Sequence, residues 1–508
     1  MKLSKKEQLI LEAFEKKEGV NLRELESLTQ IARRTLQRNI SNLIKEGFLQ
    51  KEGATKDYQL YRVRFDNHWI VFDRGILVGE LSYRDGAYSF IYDRGYKGEA
   101  FDGLEKDMLH SSTELFPFFE NLIPEYERRE KLLFGKEILA QVLPQLYNSH
   151  GSLDFVQKDR LFQYQANDQQ RPSWLSVKQE ILGVNEFPNI LDLTIDINDN
   201  ILNDTSNTEH SNLSGYQTKI DVNVDWKTKR VFEAKSAEYL LKPRNLEHSD
   251  YFTRDNNNQK HYYPFIALNE HLFMSFAKNE LGFDVPYTGI IKADRDFHYL
   301  IKRYDRYKGF KYEQKDFAQL LLTLSRNKYK SGSEILFQKI DETLSNKTSK
   351  IEALRFYFYS YLIKHADLHL KNIGAIRVNK NRYALTPLYD VISVALYKGD
   401  CDDLALPFLK PYKKPRNWKI DDFYRLGQIL NLNKLAVKKA LLRVTKIYIV
   451  QMPEYIKRVQ KLEKEYDLMM QKSRKGKILF SKRLENIYNE KLISLRKLGF
   501  LRDLGLED

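Results

Sequence analysis

The octapeptide "HADLHLKN", residues 365–372, gathers chemistry-bearing side chains directly behind the aromatic run "RFYFYSYLI". Phosphoryl transfer needs a carboxylate that orients the attacking hydroxyl, together with oxygen ligands that hold Mg²⁺ on the phosphates. Asp367 and Asn372 would supply a carboxylate and an amide oxygen from one loop. A second carboxylate, Asp390 of "LTPLYDV", follows at the far end of a predicted hairpin. The octapeptide is therefore a candidate phosphoryl-transfer loop.

Two other interpretations fit the same letters. His365, Asp367 and His369 could bind zinc as in a hydrolase, because alternate residues of an extended segment share a face. The chain has only 10 histidines, and no second dense cluster would complete the ligand set. The octapeptide could also be the solvated polar end of a helix. A choice among the three depends on residues elsewhere in the chain.

Such residues precede the loop in the order that phosphoryl transfer requires. "EYLLKP" places Lys242 after apolar strand residues, and Glu270 of "LNEHLFMSFA" lies on the next predicted helix, where it could pair with that lysine. Gly215 in "SNLSGYQTK" would let backbone amides approach phosphates, although it lacks the G-x-G-x-x-G spacing. Strand lysine, helix glutamate, loop and Asp390 follow the order of protein kinases, whose loop reads H-x-D-L-x-x-x-N.

The first 64 residues predict a winged helix-turn-helix domain. Apolar residues at helical spacing indicate three short helices, and "GFLQKEGATKDYQLYRV" alternates and turns at Gly53 as a two-stranded wing would. The second helix of such a motif presents its N-terminal half to the DNA major groove. We expect DNA contacts from Arg33, Arg34, Thr35, Gln37 and Arg38. The alternative is a small helical module that packs on another protein.

Further along, the pattern mixes strands and helices. "HWIVFD", "ILVGELSY" and "YSFIYD" predict strands, whereas residues 190–212 are rich in Asp and Asn and predict a mobile linker. A hairpin, the strand of Lys242, a helix and the strand "FHYLIKRYDR" follow. Beyond Asp305 the pattern is mostly helical, interrupted by a hairpin that turns near residues 379–381.

Charge and composition bound the partners and the compartment. The net charge of +14 is concentrated in residues 410–508, which contain 25 Lys and Arg residues but only 11 Asp and Glu residues. That balance favours an anionic partner, but a solvated helical face is the commoner explanation. With one cysteine, no secretory signal and no apolar run of ~18 residues, we expect a cytoplasmic protein without a membrane span.

The motifs between residues 66 and 400 together resemble the HipA-like serine/threonine kinases, a bacterial toxin family with a fold akin to protein and phosphoinositide kinases. The matching pieces include "FFENLIPEYERRE", "HGSLDF", "SGYQTK", "YLLKP", "IKRYDR", "DFAQLL" with "NKY", "HADLHLKN" and "TPLYDVIS". The resemblance implies transfer of the ATP γ-phosphate to a protein serine or threonine. It also implies Mg²⁺, translation components such as an aminoacyl-tRNA synthetase among the targets, and a DNA-binding antitoxin partner.

The same resemblance assigns roles by position. Asp367 would be the catalytic base, Lys242 the phosphate lysine and Glu270 its partner, with Asn372 and Asp390 as Mg²⁺ ligands. The implied ATP-binding residues are Gly215, Lys219, Lys242, Ile301, Lys302, Arg303, Tyr304 and His369. Lys302 stands where the family commonly has glutamate, and His365 where it usually has asparagine. Ser211 and Ser214 are the candidates for the family's inhibitory autophosphorylation.

These inferences predict an α+β, bilobal protein-kinase-like fold with an N-terminal winged helix-turn-helix domain and a helical C-terminal region. The predicted units are residues 1–64, the DNA-binding domain; 65–155, an N-terminal subdomain; 156–305, the kinase N-lobe; 306–440, the helical C-lobe; and 441–508, a basic helical extension. The leading hypothesis is a self-contained DNA-binding serine/threonine kinase. The alternative is a DNA-binding transcription regulator whose kinase-like body senses nucleotide without catalysis.

Overall fold

In the computed structural model, the start of the chain forms the three predicted helices and the predicted hairpin. The helices are α1 (Lys5–Lys16), α2 (Leu22–Thr29) and α3 (Arg33–Lys45), and strands β1 (Leu49–Ala54) and β2 (Asp57–Arg62) pair antiparallel. Asn21 caps α2 by accepting from the backbone N–H of Glu24, whose side chain accepts in return from the N–H of Asn21. Leu25, Leu36 and Leu60 are fully buried where the helices meet the hairpin.

The structure describes residues 4–16, 19–45, 48–54, 57–62, 67–123, 129, 133, 136–146, 149–165, 171–198, 219–234, 236–244, 264–380, 382–473 and 476–507. The chain divides into two compact units. Unit one comprises residues 1–116, 138–145 and 153–169, and unit two comprises residues 117–137, 146–152 and 170–508. Residues 117–137 and 146–152, assigned above to the subdomain 65–155, thus fall in unit two.

The remainder of unit one is a five-stranded antiparallel sheet of order β6-β5-β4-β3-β7. Its strands are β3 (His68–Asp73), β4 (Ile76–Arg84), β5 (Ala87–Tyr92), β6 (His110–Ser112) and β7 (Leu153–Gln157). The first three confirm the strands predicted from "HWIVFD", "ILVGELSY" and "YSFIYD". Trp69, Leu81 and Phe90 are fully buried on the covered face.

Unit two contains a six-stranded sheet of order β12-β13-β11-β9-β10-β8. The strands are β8 (Thr194–Asp196), β9 (Ile220–Asp225), β10 (Arg230–Glu233), β11 (Tyr239–Lys242), β12 (Thr288–Ala293) and β13 (Asp296–Lys302). Two helices, α4 (Pro117–Glu120) and α5 (Trp174–Leu182), precede this sheet in the chain, and α6 (Ile266–Asn279) packs against β12 and β13. Because α6 is buried on all sides, its Glu270 needs an internal partner.

The prediction of a mobile linker over residues 190–212 is wrong for its first part. Strand β8 pairs in parallel with β10, and Ile190 bridges to Ile290. The physical reason is the alternation in "ILDLTIDI": Leu191, Leu193 and Ile195 pack on the sheet while the intervening polar residues face outward. The Asp and Asn content obscured this period-two pattern. Residues 199–212 lie outside the described residues.

The rest of unit two is mainly helical. Its helices are α7 (Phe317–Leu320), α8 (Ser333–Thr343), α9 (Lys347–Leu362), α10 (Ile420–Ile429), α11 (Lys434–Glu465), α12 (Phe480–Lys497) and α13 (Phe500–Leu504). Two-stranded hairpins pair β14 (Arg306–Tyr307) with β15 (Phe310–Lys311), β19 (Phe408–Leu409) with β20 (Tyr412–Lys413), and β21 (Gln471–Ser473) with β22 (Gly476–Ile478). A three-stranded sheet of β16 (Gln314–Asp316), β17 (Gly374–Asn379) and β18 (Arg382–Leu385) also interrupts the helices. The aromatic run of α9 is core: Tyr357, Tyr359 and Tyr361 are fully buried.

The basic C-terminal region is an amphipathic helical layer. On α11, Val444, Tyr448 and Val459 face the core, whereas cations such as Arg443 and Lys446 are exposed. Within the described part of the chain, no helix is long and apolar enough to cross a bilayer.

Candidate active site

A cleft with about 700 Å³ of empty space, part of it open to solvent, lies in unit two. Its walls come from the six-stranded sheet, α6, the strands β13 and β16, and the loops on either side of the β17–β18 hairpin. The lining residues are His150, Lys219, Leu240, Lys242, Glu270, Ile301, Lys302, Arg303, Tyr304, Asp305, Gln314, Asp316, Lys371, Asn372, Tyr389 and Asp390.

Lys242 is the centre of a cluster of charged side chains in this cleft. Strand β11 ends at Lys242, whose Nζ lies 2.6 Å from Glu270 Oε2 on α6 and 2.5 Å from Asp390 Oδ1. Lys219, just before β9, places its Nζ 3.7 Å from Asp390 Oδ2. Side chains 148 residues apart in sequence, those of Lys242 and Asp390, are thus in direct contact.

Burial and mutual attraction shift the pKa values of this cluster. Burial by itself raises the pKa of Asp390, but the Lys242 and Lys219 ammonium groups hold it well below its usual range. Burial lowers the pKa of Lys242 less than the two carboxylates raise it, so Lys242 stays protonated. Glu270 is the most deeply buried of the acids, and burial raises its pKa to about 7 against the opposing effect of Lys242. Asp390 is therefore ionised and Glu270 is poised between its two states at neutral pH.

The loop of "HADLHLKN" follows α9 and is held by its own hydrogen bonds. Asn372 Nδ2 donates to the backbone oxygen of Asp367 over 2.9 Å, and the N–H of His369 donates to the same oxygen over 2.8 Å. Asp367 itself is half-buried, and its Oδ1 accepts from the hydroxyl of Tyr329. The side chain of Asp367 is thus both accessible and hydrogen-bonded.

The two histidines of the loop are buried and neutral. Burial lowers the pKa of His365 to about 4 and that of His369 well below its usual range. Across the described ranges, no group of three His, Cys, Asp or Glu side chains could hold a metal ion. The zinc interpretation, which needs His365, Asp367 and His369 together, therefore has no support in the described geometry.

A magnesium ion bound through nucleotide phosphates needs fewer protein ligands, because water and phosphate oxygens complete its octahedron. Asp390 offers an ionised carboxylate in the cleft. Asn372 uses its amide nitrogen in the bond to Asp367, so its side-chain oxygen is the atom with which it would bind a cation. Asp390 adopts φ 58°, an uncommon backbone conformation for a non-glycine residue that recurs at functional sites. The residues present fit a phosphate-bound Mg²⁺.

Part of the cleft lining is apolar and aromatic. Leu240 and Ile301 contribute from adjacent strands, and the rings of Tyr304 and Tyr389 stack with centroids 5.6 Å apart. Trp174 on α5 donates from Nε1 to the backbone oxygen of Tyr304 over 2.9 Å, which fixes the chain just after β13. Such a lining suits a flat heteroaromatic ring, which gains from stacking and burial.

The motif "KRYDR" forms a buried ionic cluster beside the cleft. Asp305 accepts from Arg303 over 2.9 and 3.0 Å and from Arg306 over 2.8 Å. Both arginines also donate to the backbone oxygen of Ser149 in "HGSLDF", and Gly151 N–H donates to Asp305. Burial alone would raise the pKa of Asp305, but the arginines hold it well below its usual range. The guanidinium of Arg303, predicted to bind ATP, is thus engaged in structural pairs at the cleft wall.

The predicted site residues divide into three groups. Those that line the cleft are Lys219, Lys242, Glu270, Ile301, Lys302, Arg303, Tyr304, Asn372 and Asp390. Asp367 and His369 share the loop of Asn372 but are not among the described residues that line the cleft. Ser211, Ser214 and Gly215 lie outside the described residues.

The predicted DNA-binding residues lie on α3 in unit one. Thr35 is half-buried, and the other four, Arg33, Arg34, Gln37 and Arg38, are exposed. Sequence reasoning did not assign seven of the residues that line the cleft, namely His150, Leu240, Asp305, Gln314, Asp316, Lys371 and Tyr389. All of them except Gln314 stand inside motifs already singled out, which were the available signal.

Comparison with known proteins agrees with this geometry. Residues 211–452 match the family model described as the HipA-like C-terminal domain. A Haemophilus influenzae protein named "Putative kinase" is 29% identical over 283 residues, which cover 50% of this chain and 74% of that protein. "Putative kinase Y4dM" of Sinorhizobium fredii is 28% identical over 163 residues, 30% of this chain and 40% of the relative.

A solved structure of HipA from Shewanella oneidensis MR-1, in a toxin–antitoxin complex with HipB and operator DNA, is similar in fold. It superimposes with a TM-score of 0.55 at 16% identity, covering 87% of this chain and 100% of that one. The mixed α+β fold is thus shared with that structure. The chain carries a match to the HipA-like C-terminal domain at residues 211–452 and is similar to putative kinases over up to half of its length.

Proposed function

We propose that this chain transfers the γ-phosphate of Mg-ATP to serine or threonine hydroxyls of a protein. The observation that carries the proposal is the contact of Lys242 Nζ with Glu270 at 2.6 Å and Asp390 at 2.5 Å, inside a cleft whose lining includes two stacked tyrosines. A buried ammonium between an ionised loop carboxylate and a helix glutamate is the arrangement that holds ATP phosphates in kinases.

In this proposal the stacked tyrosines receive the adenine, and Lys242 and Lys219 neutralise phosphate charge. Asp390 and Asn372 would hold Mg²⁺, which would supply positive charge against the phosphates. Asp367 orients the acceptor hydroxyl and accepts its proton as the oxygen attacks the γ-phosphorus and the bond to the β-phosphate oxygen breaks, so that ADP leaves.

The test is phosphate transfer from labelled ATP by purified protein, with Mg²⁺ and bacterial lysate as a source of acceptors. Asp367→Asn keeps the size of the side chain but removes the base, so transfer should fall at least about 10²-fold while the circular dichroism spectrum is unchanged. Asp400→Asn, at an exposed carboxylate of the same unit, is the matched control and should transfer phosphate normally. Phosphotyrosine as the main product, or full activity of a well-folded Asp367→Asn variant, contradicts the proposal.

A toxin role with translation components as targets, an aminoacyl-tRNA synthetase among them, is the family's implication for the substrate. Phosphoproteomes of cells expressing the intact chain and the Asp367→Asn variant test it. Growth arrest with new phosphoserine or phosphothreonine on a translation protein, present only with the intact chain, is the expected result. Growth unaffected by the intact chain contradicts the toxin role.

We also propose that residues 1–64 bind DNA as a winged helix-turn-helix domain, and that a separate antitoxin can join the complex, as HipB does with the Shewanella protein. The support is the exposed polar face of α3, with Arg34 and Arg38 one helical turn apart, next to the β1–β2 hairpin. Arg34→Ala with Arg38→Ala should weaken binding to the chain's own promoter DNA and flatten its salt dependence. Arg23→Ala, at an exposed arginine on α2, is the control.

The second candidate function is a nucleotide-sensing regulator without catalysis. It shares the DNA-binding prediction and differs in one outcome: ATP would alter DNA affinity while no phosphate reaches any protein, this chain included. The transfer assay above separates the two.

A further inference from the structure

His150 lines the cleft of unit two, although the proposed chemistry has no role for it. It belongs to the motif "HGSLDF", and only 8% of its surface is exposed. Burial lowers its pKa to about 3, so the imidazole is neutral. A neutral imidazole has one ring nitrogen that donates a hydrogen bond and one that accepts. The partners of the two nitrogens therefore decide what His150 can bind.

Gln319 determines which nitrogen of His150 carries the proton. Gln319 Nε2 donates to the backbone oxygen of Phe118 over 3.0 Å, and Gln319 Oε1 accepts from the N–H of Asp316 over 3.1 Å. These two contacts assign Oε1 as an acceptor, because the orientation of an amide follows from its hydrogen-bond network. His150 Nε2 lies 3.3 Å from the same oxygen and is therefore the protonated nitrogen. The other nitrogen, Nδ1, is the acceptor.

Nδ1 of His150 meets no hydrogen-bond donor among the residues that the structure describes. Buried polar atoms of proteins are nearly always hydrogen-bonded, so an open acceptor needs an explanation. His150 stands in the wall of a cleft, where a bound molecule can supply what the protein does not. The missing partner is thus a donor on the ligand, such as a hydroxyl group.

The surroundings of His150 indicate which part of a nucleotide it faces. The N–H of Gly151, the next residue, donates to Asp305 over 3.2 Å, and Asp305 follows Tyr304 of the aromatic lining. Next to burial, the ammonium of Lys371 contributes most to lowering the pKa of His150, so the loop "HADLHLKN" is also close. His150 thus adjoins both the segment proposed to receive the base and the loop proposed to face the phosphates. In a nucleotide, the ribose joins those two parts.

We propose that His150 binds the sugar of the nucleotide: its Nδ1 accepts a hydrogen bond from a ribose hydroxyl. The inference rests on the proposed kinase function, which supplies the positions of the base and the phosphates. It makes His150 a residue that distinguishes ribonucleotides from deoxyribonucleotides. A site with a buried acceptor for a hydroxyl disfavours an analogue without that hydroxyl, because the acceptor is then left unpaired.

The test compares the binding of Mg-ADP with that of its 2′-deoxy, 3′-deoxy and 2′,3′-dideoxy analogues by isothermal titration calorimetry. ADP has no γ-phosphate to transfer, so binding is measured without turnover. We expect the dideoxy analogue to bind the intact chain about five- to tenfold more weakly than ADP, the effect of one lost hydrogen bond. The two monodeoxy analogues then identify the hydroxyl that is bound.

Two variants separate the acceptor from the rest of the side chain. His150→Gln keeps a donor at the place of Nε2 for Gln319 but has no acceptor at the place of Nδ1, so it should bind ADP and the dideoxy analogue equally well. His150→Asn is the matched control, because its amide oxygen can take the place of Nδ1, and it should retain the preference for ADP. Thermal unfolding of both variants shows that the fold is kept.

Equal binding of ADP and the dideoxy analogue by the intact chain overturns the inference alone, and so does a preference that survives in His150→Gln. Loss of the preference in both variants indicates a merely structural role for His150 and also overturns the inference. An intact chain that neither binds Mg-ADP nor transfers phosphate from ATP overturns the proposed function, and the inference with it.

Discussion

Replacement of Lys242 by Met would remove the one ammonium that lies between Glu270 and Asp390, with contacts of 2.6 and 2.5 Å. Breaking a buried ion pair by deleting one partner costs about 3–5 kcal/mol, because the remaining charge is stranded. Here the lower end, about 3 kcal/mol, is expected near neutral pH. The reason is that Glu270, whose pKa is already raised to about 7 by burial, can take up a proton when the lysine is absent.

The cost should therefore depend on pH in a defined direction. Without Lys242 the pKa of Glu270 rises further, so the folded variant keeps a proton that the unfolded chain, with its ordinary glutamate, has released. Above about pH 7 the free energy of unfolding of the variant then falls by up to about 1.4 kcal/mol per pH unit. In the intact protein Glu270 is already ionised there, so its stability no longer depends on this group. Between about pH 7 and about pH 8.5, the variant should lose roughly 2 kcal/mol more than the intact chain.

Urea denaturation followed by circular dichroism at the two pH values measures this difference. Lys229→Met is the matched control, because it removes a lysine from an ion pair with Asp192 on the exposed edge of the same sheet; it should leave the pH dependence unchanged. A Lys242→Met variant that is as stable as the intact protein, or whose deficit does not grow with pH, would refute the reasoning from buried charge.

Three further outcomes follow from the site and its supports. His365→Asn should make the protein less sensitive to acid, because burial lowers the pKa of His365 to about 4 in the folded state. Protonation of this histidine in the unfolded chain lowers the free energy of unfolding by about 2 kcal/mol between about pH 7 and about pH 5. Urea titrations at both pH values should show a smaller decrease for the variant. Gly374→Ala should destabilise the protein by about 1–3 kcal/mol and slow phosphate transfer, because the added Cβ would lie 2.8 Å from the backbone oxygen of Lys315. Thermal unfolding measures the loss of stability. Gly399→Ala is the control, because a Cβ at that position meets nothing within 4 Å. Chelation with EDTA should abolish phosphate transfer, and added Mg²⁺ should restore it. Asp390→Asn should raise the Mg²⁺ concentration needed for half-maximal rate roughly tenfold or more. An unchanged metal requirement would contradict the role of Asp390 as a ligand.

Local patterns in the sequence predicted the elements that are nearly self-contained. The alternation in residues 47–63 predicted the β1–β2 hairpin and helical spacing predicted α3, because the period of apolar residues is a property of the segment itself. The prediction failed at β8. Its Asp and Asn content indicated a linker, although the apolar residues of the segment alternate as in a strand.

For the candidate site, the types and order of residues in the sequence alone predicted which side chains would carry the proposed chemistry: Lys242, Glu270, Asp367, Asn372 and Asp390. Only the tertiary structure decided how they meet. The ammonium of Lys242 is shared between Glu270 and Asp390 because β11, α6 and the loop after β18 pack around one cleft.

Contacts between distant segments were beyond the reach of sequence patterns. The bond from Tyr329 to Asp367 and the pairing of the Arg303–Asp305–Arg306 cluster with Ser149 have no periodic signature. They depend on which loops the folded core brings together and on the need of each buried polar group for a partner. Residue identity thus determined the chemistry available to this chain, and three-dimensional packing decided which groups hold one another in place.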